Sequence, residues 1–221
     1  MRVPSARDAD ELVAAVRGEG IRDSSLLAAI GEVSRADFVP PALVDRAHLD
    51  TPLPIDHQQV TTQPSLVGRM VEALELTGRE RVLEVGTGFG WQTALLARLA
   101  ARVWSIERWP DLAEEARTRL SRVGIENAEV AVGDGTEGVP DHAPYDAVIV
   151  CAAFTSVPAP LASQVASGGR LVQPLGRGGA EEVVLFGKPG AELERRRTIT
   201  SAHFVRLCGC HGFPDEARAR G

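Results

Sequence analysis

Two carboxylates and a run of glycines carry the chemistry legible in this chain. Glu84 stands two residues before Gly86, which is followed at alternate positions by Gly88 and Gly90. Glu107 closes the next apolar run, Val103-Trp-Ser-Ile106. Glycines in a turn let the backbone approach a ligand where a side chain would block it. An acid at the end of the following strand can accept hydrogen bonds from ribose hydroxyls. The elements that must position these groups follow from the same stretch. Arg81 to Val85 has the branched apolar content of a short buried strand. Trp91 to Ala101 reads as a helix, with Ala94, Leu95, Leu96 and Leu99 on its inward face. Val103 to Ile106 is a second strand. Strand, glycine turn, helix, strand and acid make half of a doubly wound nucleotide fold.

The spacing of the glycines decides which nucleotide is expected. A dinucleotide fingerprint has the form G-x-G-x-x-G, whereas Gly86, Gly88 and Gly90 form G-x-G-x-G, with Trp91 and Gln92 where the third glycine would sit. Glu84 is expected to point a negative charge into the same crevice, which suits a cationic ligand and repels a pyrophosphate. S-adenosylmethionine, with its adenosine, sulfonium and amino-acid tail, fits better than a nicotinamide dinucleotide. The plainer alternative is a strand-turn-helix whose glycines serve chain geometry alone.

Composition narrows the class further. The 221 residues suffice for one full core, or for a core with a small appendage. The net charge of −6 argues against a nucleic-acid groove as the main working surface. The basic run Arg195-Arg-Arg197 reads as a solvated hairpin turn. No apolar run is long enough to span a membrane, and no secretory h-region is visible at the N-terminus. Three cysteines form no disulfide framework and point to the cytoplasm. Cys208, Cys210 and His211 cluster in sequence but lack a fourth ligand nearby, so no metal site is expected.

The remaining chain supplies supporting elements. Helices are expected from Asp8 to Gly18, from Asp23 or Ser24 to Val33, from Ser65 to Glu75, and from Pro110 to Val123. The segment 50–64 is rich in proline, threonine and glutamine and is long for a connector, which marks a binding loop or lid. Strands are expected at Ala128 to Val132, Tyr145 to Val150 and Arg170 to Gln173, with a short helix from Val157 to Val165. Glu181 to Phe186 and Ala202 to Leu207 read as a closing antiparallel pair joined by a polar turn. The tail from Phe213 to Gly221 is expected to fray.

Several segments together resemble one family, the protein L-isoaspartyl (D-aspartyl) O-methyltransferases. They are Arg35-Ala-Asp-Phe-Val-Pro, Pro52-Leu-Pro-Ile, Gln63-Pro64, Val82-Leu-Glu-Val-Gly-Thr-Gly-Phe-Gly, Gly133-Asp-Gly, Ala143-Pro-Tyr-Asp, Gly168-Gly-Arg-Leu-Val and His203-Phe-Val. The glycine motif alone indicates a class I methyltransferase. The Phe-Val-Pro and Leu-Pro-Ile segments make the resemblance specific.

The resemblance implies an α/β fold: a doubly wound, Rossmann-like, mostly parallel sheet with an antiparallel closing strand, plus N-terminal helices. It implies one domain, with helices and lid over 1–80, core over 81–207 and a tail over 208–221. It implies S-adenosylmethionine as cofactor, with Glu84, Gly86, Thr87, Gly88 and Gly90 at its methionine part and Glu107 with Arg108 at the ribose. Asp134 and Gly135 would read the adenine, and Gln59, Val60 and Thr61 would close over the cofactor. Ile55, Ala153, His203, Phe204 and Val205 would meet the substrate, a peptide or protein carrying an isoaspartyl or aspartyl residue, bound by a monomer. The family's lid resembles Gly-x-Gly-Gln-Thr-Ile-Ser-Gln-Pro, with the serine counted as the active-site residue. Here it reads Asp56-His57-Gln58-Gln59-Val60-Thr61-Thr62-Gln63-Pro64, which puts Thr62 at the serine and removes both glycines. Methyl transfer to an ionised carboxylate needs no strong base, so His57 reads as a hydrogen-bonding loop residue. Cys151 replaces a family threonine and reads as a small buried residue. Arg206 replaces a proline and is either a solvated charge or a contact to an acidic peptide. Three functions stay open: isoaspartyl repair through a succinimide, maturation of an aspartate in a dedicated precursor peptide, and cofactor or peptide binding without catalysis.

Overall fold

The computed structural model of the chain describes residues 6–214. Helices α1 (Ala6–Gly18) and α2 (Ser24–Glu32) come first, and Asp23 caps α2 by accepting the Leu26 N–H. A short hairpin pairs β1 (Leu53–Pro54) with β2 (Val60–Thr61) and leads to α3 (Pro64–Glu72). The core then alternates β3 (Arg81–Val85), α4 (Trp91–Leu99), β4 (Arg102–Glu107), α5 (Pro110–Arg122), β5 (Ala128–Val132), β6 (Tyr145–Val150), α6 (Ala159–Gln164) and β7 (Val165–Leu175). It closes with β8 (Glu181–Gly187) and β9 (Glu194–Ala202). The strand order is β5-β4-β3-β6-β7-β8-β9. The first five of these run parallel, and β8 is antiparallel to both neighbours. The expected doubly wound sheet with an antiparallel closing strand is therefore present.

Parallel strands are covered on both faces, so β3 and β6 are buried along nearly their whole length, Glu84 included. One apolar cluster joins Leu12, Ile30, Phe38 and Met70 of the N-terminal segment to Leu95, Ile149 and Val183 of the core. Helix α4 is consequently buried on nearly every side, not on one stripe. The opposite face packs Leu83, Trp104, Tyr145, Val148 and Leu161.

Two expectations about the closing strands are corrected. The partner of β8 is Glu194–Ala202, not Ala202 to Leu207, and Arg195, Arg196 and Arg197 lie in that strand, not in a turn. The strand is at the sheet edge and exposed along most of its length, so no apolar alternation marks it. Charges suit such an edge because they oppose pairing with another chain. Arg195 meets Glu182 of β8 at 3.1 Å. The segment after β9 runs instead beside the end of β6, where Ala153 N–H donates to Val205 O and Leu207 N–H to Ala153 O, both at 2.8 Å. The chain continues as a strap in which Phe213 meets the Phe154 ring edge-on. The tail expected to fray lies, from residue 215 onward, outside the described residues.

The lid is a tight hairpin held at its base by a buried cation. Arg35 is 2% exposed, and its guanidinium donates to the carbonyls of Leu49, Thr51 and Thr62 and to Thr61 Oγ1. Burial lowers its pKa to about 10, which leaves it charged at neutral pH. At the hairpin tip His57 and Gln58 both have φ of +57°, the left-handed region that favours glycine. Gln58 occupies the position of a lid glycine in the resembled family. Replacing Gln58 with glycine is expected to raise stability by roughly 0.5–1 kcal/mol, relief of the left-handed strain outweighing the added unfolded-state freedom. A denaturant midpoint that fails to rise would show that the Gln58 side chain contributes more than it strains.

Candidate active site

The carboxyl ends of β3, β4 and β6 are level because Val85 pairs with both Ile106 and Val150. Gly86 N–H donates to Ile106 O and Cys151 N–H to Val85 O, so the chain leaves all three strands at one height. In open α/β sheets this is where ligands bind. A cavity of about 430 Å³ lies there under the lid, a size suited to a small cofactor with part of a substrate. Gly86 has φ of +96°, and a Cβ on Gly135 would come within 2.5 Å of a Val85 methyl carbon. A side chain at Gly135 would collide with Val85, and one at Gly86 would crowd Cys151 Cβ at 3.2 Å.

Of the residues expected at the site, the structure brings Thr62, Gln59, Val60, Thr61, Gly86, Thr87, Gly88, Gly90, Glu107, Arg108, Gly135, Ile55 and Val205 to the cavity wall. Glu107 is 5% exposed and accepts the backbone N–H groups of Gly88 (2.9 Å) and Trp109 (3.1 Å). Burial raises its pKa, while these N–H groups oppose the rise. A carboxylate has about four acceptor sites and the backbone N–H of Arg108 takes a third, so capacity remains for a ribose hydroxyl. The set fits an adenosyl cofactor: a glycine floor, an acid with free lone pairs and a lid.

Glu84, Asp134, Ala153, His203 and Phe204 do not line the cavity. Glu84 is corrected most clearly. Its side chain is fully buried beneath the turn and accepts from Gln92 Nε2, Thr93 Oγ1 and Ser105 Oγ. Burial pushes its pKa up to about 7. Its charge does not face the crevice; Glu107 supplies the carboxylate there. Strand register explains this, since Glu84 sits opposite Ser105 of β4 and Ile149 of β6, inside the sheet. Thr87 Oγ1 lies 2.6 Å from Ser105 Oγ and extends the network to the cavity wall.

Asp134 instead accepts from Thr136 and from the N–H of Cys210 in the C-terminal strap. Ala153 is buried, Phe204 N–H donates to Glu181, and His203 is exposed. Cys208 lines the cavity, whereas Cys210 Sγ lies within 4.8 Å of ligand atoms of Asp134 and Glu137. His211 N–H donates to Thr136 Oγ1.

Other wall residues carried no expected site role. Cys151 and Gln92 both line the cavity, and Gln92 Nε2 contacts Cys151 Sγ at 3.0 Å. Burial and the nearby Glu84 push the Cys151 thiol well up, which makes it unreactive. Arg206 reaches the cavity wall, exposed, with its guanidinium 5.3 Å from the Phe213 ring. His57 also lines the cavity and bonds Asp111, in keeping with its reading as a hydrogen-bonding residue. Arg35 is absent from the expected set because a buried arginine that binds carbonyls leaves no periodic signal in sequence.

The sheet order, the glycine turn and the acid ending β4 define a class I methyltransferase. Residues 7–211 match the family described as Protein-L-isoaspartate(D-aspartate) O-methyltransferase. A protein-L-isoaspartate O-methyltransferase of Methanoculleus marisnigri is 44% identical over 214 residues, 96% of this chain and 97% of that one. A solved protein-L-isoaspartate O-methyltransferase superposes with a TM-score of 0.79 and 28% identity, over 92% of this chain and 67% of that one. A Plasmodium falciparum structure in complex with S-adenosyl-L-homocysteine shares the fold, with a TM-score of 0.76 and 19% identity, over 89% of this chain and 96% of that one. The chain belongs to the protein-L-isoaspartate (D-aspartate) O-methyltransferase family. It is an S-adenosylmethionine-dependent carboxyl O-methyltransferase.

Proposed function

We propose that this chain methylates the α-carboxylate of isoaspartyl residues in peptides and proteins, using Thr62 to orient the acceptor. The observation that supports the reading is that Thr62, just after β2 of the lid, lines the same cavity as the glycine turn and Glu107. S-adenosylmethionine, when bound, supplies an electrophilic methyl group on a sulfonium. Glu107 accepts a hydrogen bond from a ribose hydroxyl, and its charge favours the sulfonium over an anionic ligand. Glycines 86, 88 and 135 let the ligand lie against the backbone. The Thr62 hydroxyl donates to one carboxylate oxygen of the acceptor and leaves the other to attack. The acceptor is ionised at neutral pH, so these residues contribute alignment and exclusion of water, with no base required. The product ester carries methoxide, a better leaving group than the oxygen of a carboxylate; the neighbouring backbone nitrogen attacks the ester carbonyl, methanol leaves, and the succinimide of the repair route forms.

Replacing Thr62 with alanine is expected to lower kcat/KM for an isoaspartyl peptide about 10-fold, the value of one hydrogen bond to a charged group. Threonine to serine at 62 is expected to keep full activity, since the hydroxyl is what matters. Mass spectrometry of matched isoaspartyl and aspartyl peptides reads both the rate and the acceptor. Transfer only to an aspartate of a dedicated peptide would replace repair with peptide maturation. Absence of any transfer, with cofactor still bound, would favour the binding-only reading. The net charge of −6 supports a peptide substrate over nucleic acid. Three free cysteines support a reducing, cytoplasmic setting. A monomer follows as the simplest state and is checked by its mass in solution.

A further inference from the structure

We propose that His57 is a positioning residue that latches the lid to the start of α5 and thereby sets how tightly the cofactor is held. The inference rests on the cofactor reading of the cavity. The β1–β2 ladder is only two residues long on each side, too short to hold the lid by itself. Arg35 anchors the lid's base, through Thr61 Oγ1 and Thr62 O. The tip needs a second anchor, and His57 provides two contacts there. Its ring lies parallel to the Trp109 ring, 3.9 Å between centroids and 3° between planes. Its Nε2 is 2.7 Å from Asp111 Oδ2. The imidazole beside Asp111 holds that exposed carboxyl below its ordinary range. Gln59 Nε2 donates to His57 O and stiffens the tip.

Gln59 N–H donates to Asp56 O, and His57 and Gln58, both at φ of +57°, are the two central residues of the primed turn that a tight hairpin uses. Within that turn the His57 ring reaches Trp109 and Asp111 at the start of α5. Glycine at these positions permits the turn but can neither stack nor bond. The latch also ends on the cofactor's own acid. The backbone N–H of Trp109, the stacking partner, donates to Glu107 Oε1, and Glu107 lines the cavity. A ligand that engages Glu107 therefore steadies Trp109, and Trp109 steadies the lid. Stacked aromatic pairs contribute modestly, and an imidazole–carboxylate bond adds to that.

The test is calorimetric binding of S-adenosyl-L-homocysteine to the full chain and to the variants His57→Ala, His57→Phe and Asp111→Asn. His57→Ala is expected to weaken binding about 10-fold, chiefly through faster dissociation, as usual for a lost local contact. His57→Phe keeps the stack and Asp111→Asn keeps the ring, so each is expected to weaken binding about 3-fold. The denaturant midpoint of the cofactor-free chain is expected to stay near that of the parent in all three variants, which separates a latch from general loosening. Hydrogen exchange in His57→Ala should quicken at the amides of 59–61 and not in β3. Wild-type affinity in both His57→Ala and Asp111→Asn would overturn the latch while leaving the cofactor reading intact. Failure of the unaltered chain to bind would overturn the cofactor reading and the latch together.

Discussion

Glu107→Ala is expected to weaken binding of S-adenosyl-L-homocysteine roughly 100-fold or more. The residue accepts the N–H groups of Gly88 and Trp109 and still presents acceptor capacity to the cavity. A hydrogen bond from a ribose hydroxyl to this charged group contributes about 1.5–3 kcal/mol. A loss of about 2.7 kcal/mol already corresponds to 100-fold. The variant also frees the N–H of Gly88, so the glycine turn loses one of its ties. Glu107→Gln keeps one carbonyl acceptor and is expected to fall between alanine and the parent. Isothermal calorimetry gives the answer directly. An affinity within threefold of the parent would remove Glu107 from the cofactor site.

Glu84 is expected to make the chain less stable as pH rises. Its carboxyl has a pKa of about 7 in the fold against an ordinary 4.5. Between those values the folded state keeps a proton that the unfolded state has lost, so stability falls from about pH 4.5 to pH 7 and then levels off. At 1.36 kcal/mol per unit of pKa, the change amounts to about 3 kcal/mol. The side chain is fully buried, so solvent screening does not discount it. Glu84→Gln removes the ionisation while preserving shape and one acceptor for Thr93 and Ser105. The stability of the variant relative to the parent is expected to rise by roughly 2–3 kcal/mol between pH 5 and pH 8, part of the change lying below pH 5. Parallel denaturant midpoints at the two pH values would sink the idea. Glu107 titrates in the same direction, and its charge is among the causes that raise Glu84, so the difference reads the coupled pair.

The two acids show how far local sequence reads. Both were legible as chemistry from their positions beside the glycine turn, and the strands and helices around them followed from apolar spacing. Their roles were not legible, because the direction of a side chain depends on which strands lie alongside. Glu84 is enclosed by β4 and β6, whose register is set by contacts distant in sequence. Edge strand β9 escaped because its stability comes from pairing with β8, not from an apolar face of its own.

What the sequence by itself determined is the class of fold, the family, the cofactor and the location of the lid, since each rests on short motifs or on periodicity within one segment. The tertiary structure alone decided which carboxylate faces the ligand and how the lid is held. It also placed the C-terminal strap on Asp134. Arg35 reaches across to the lid, His57 to α5, and Cys210 N–H to Asp134. Such contacts join segments far apart in the chain, and nothing in the local order of residues encodes where they meet.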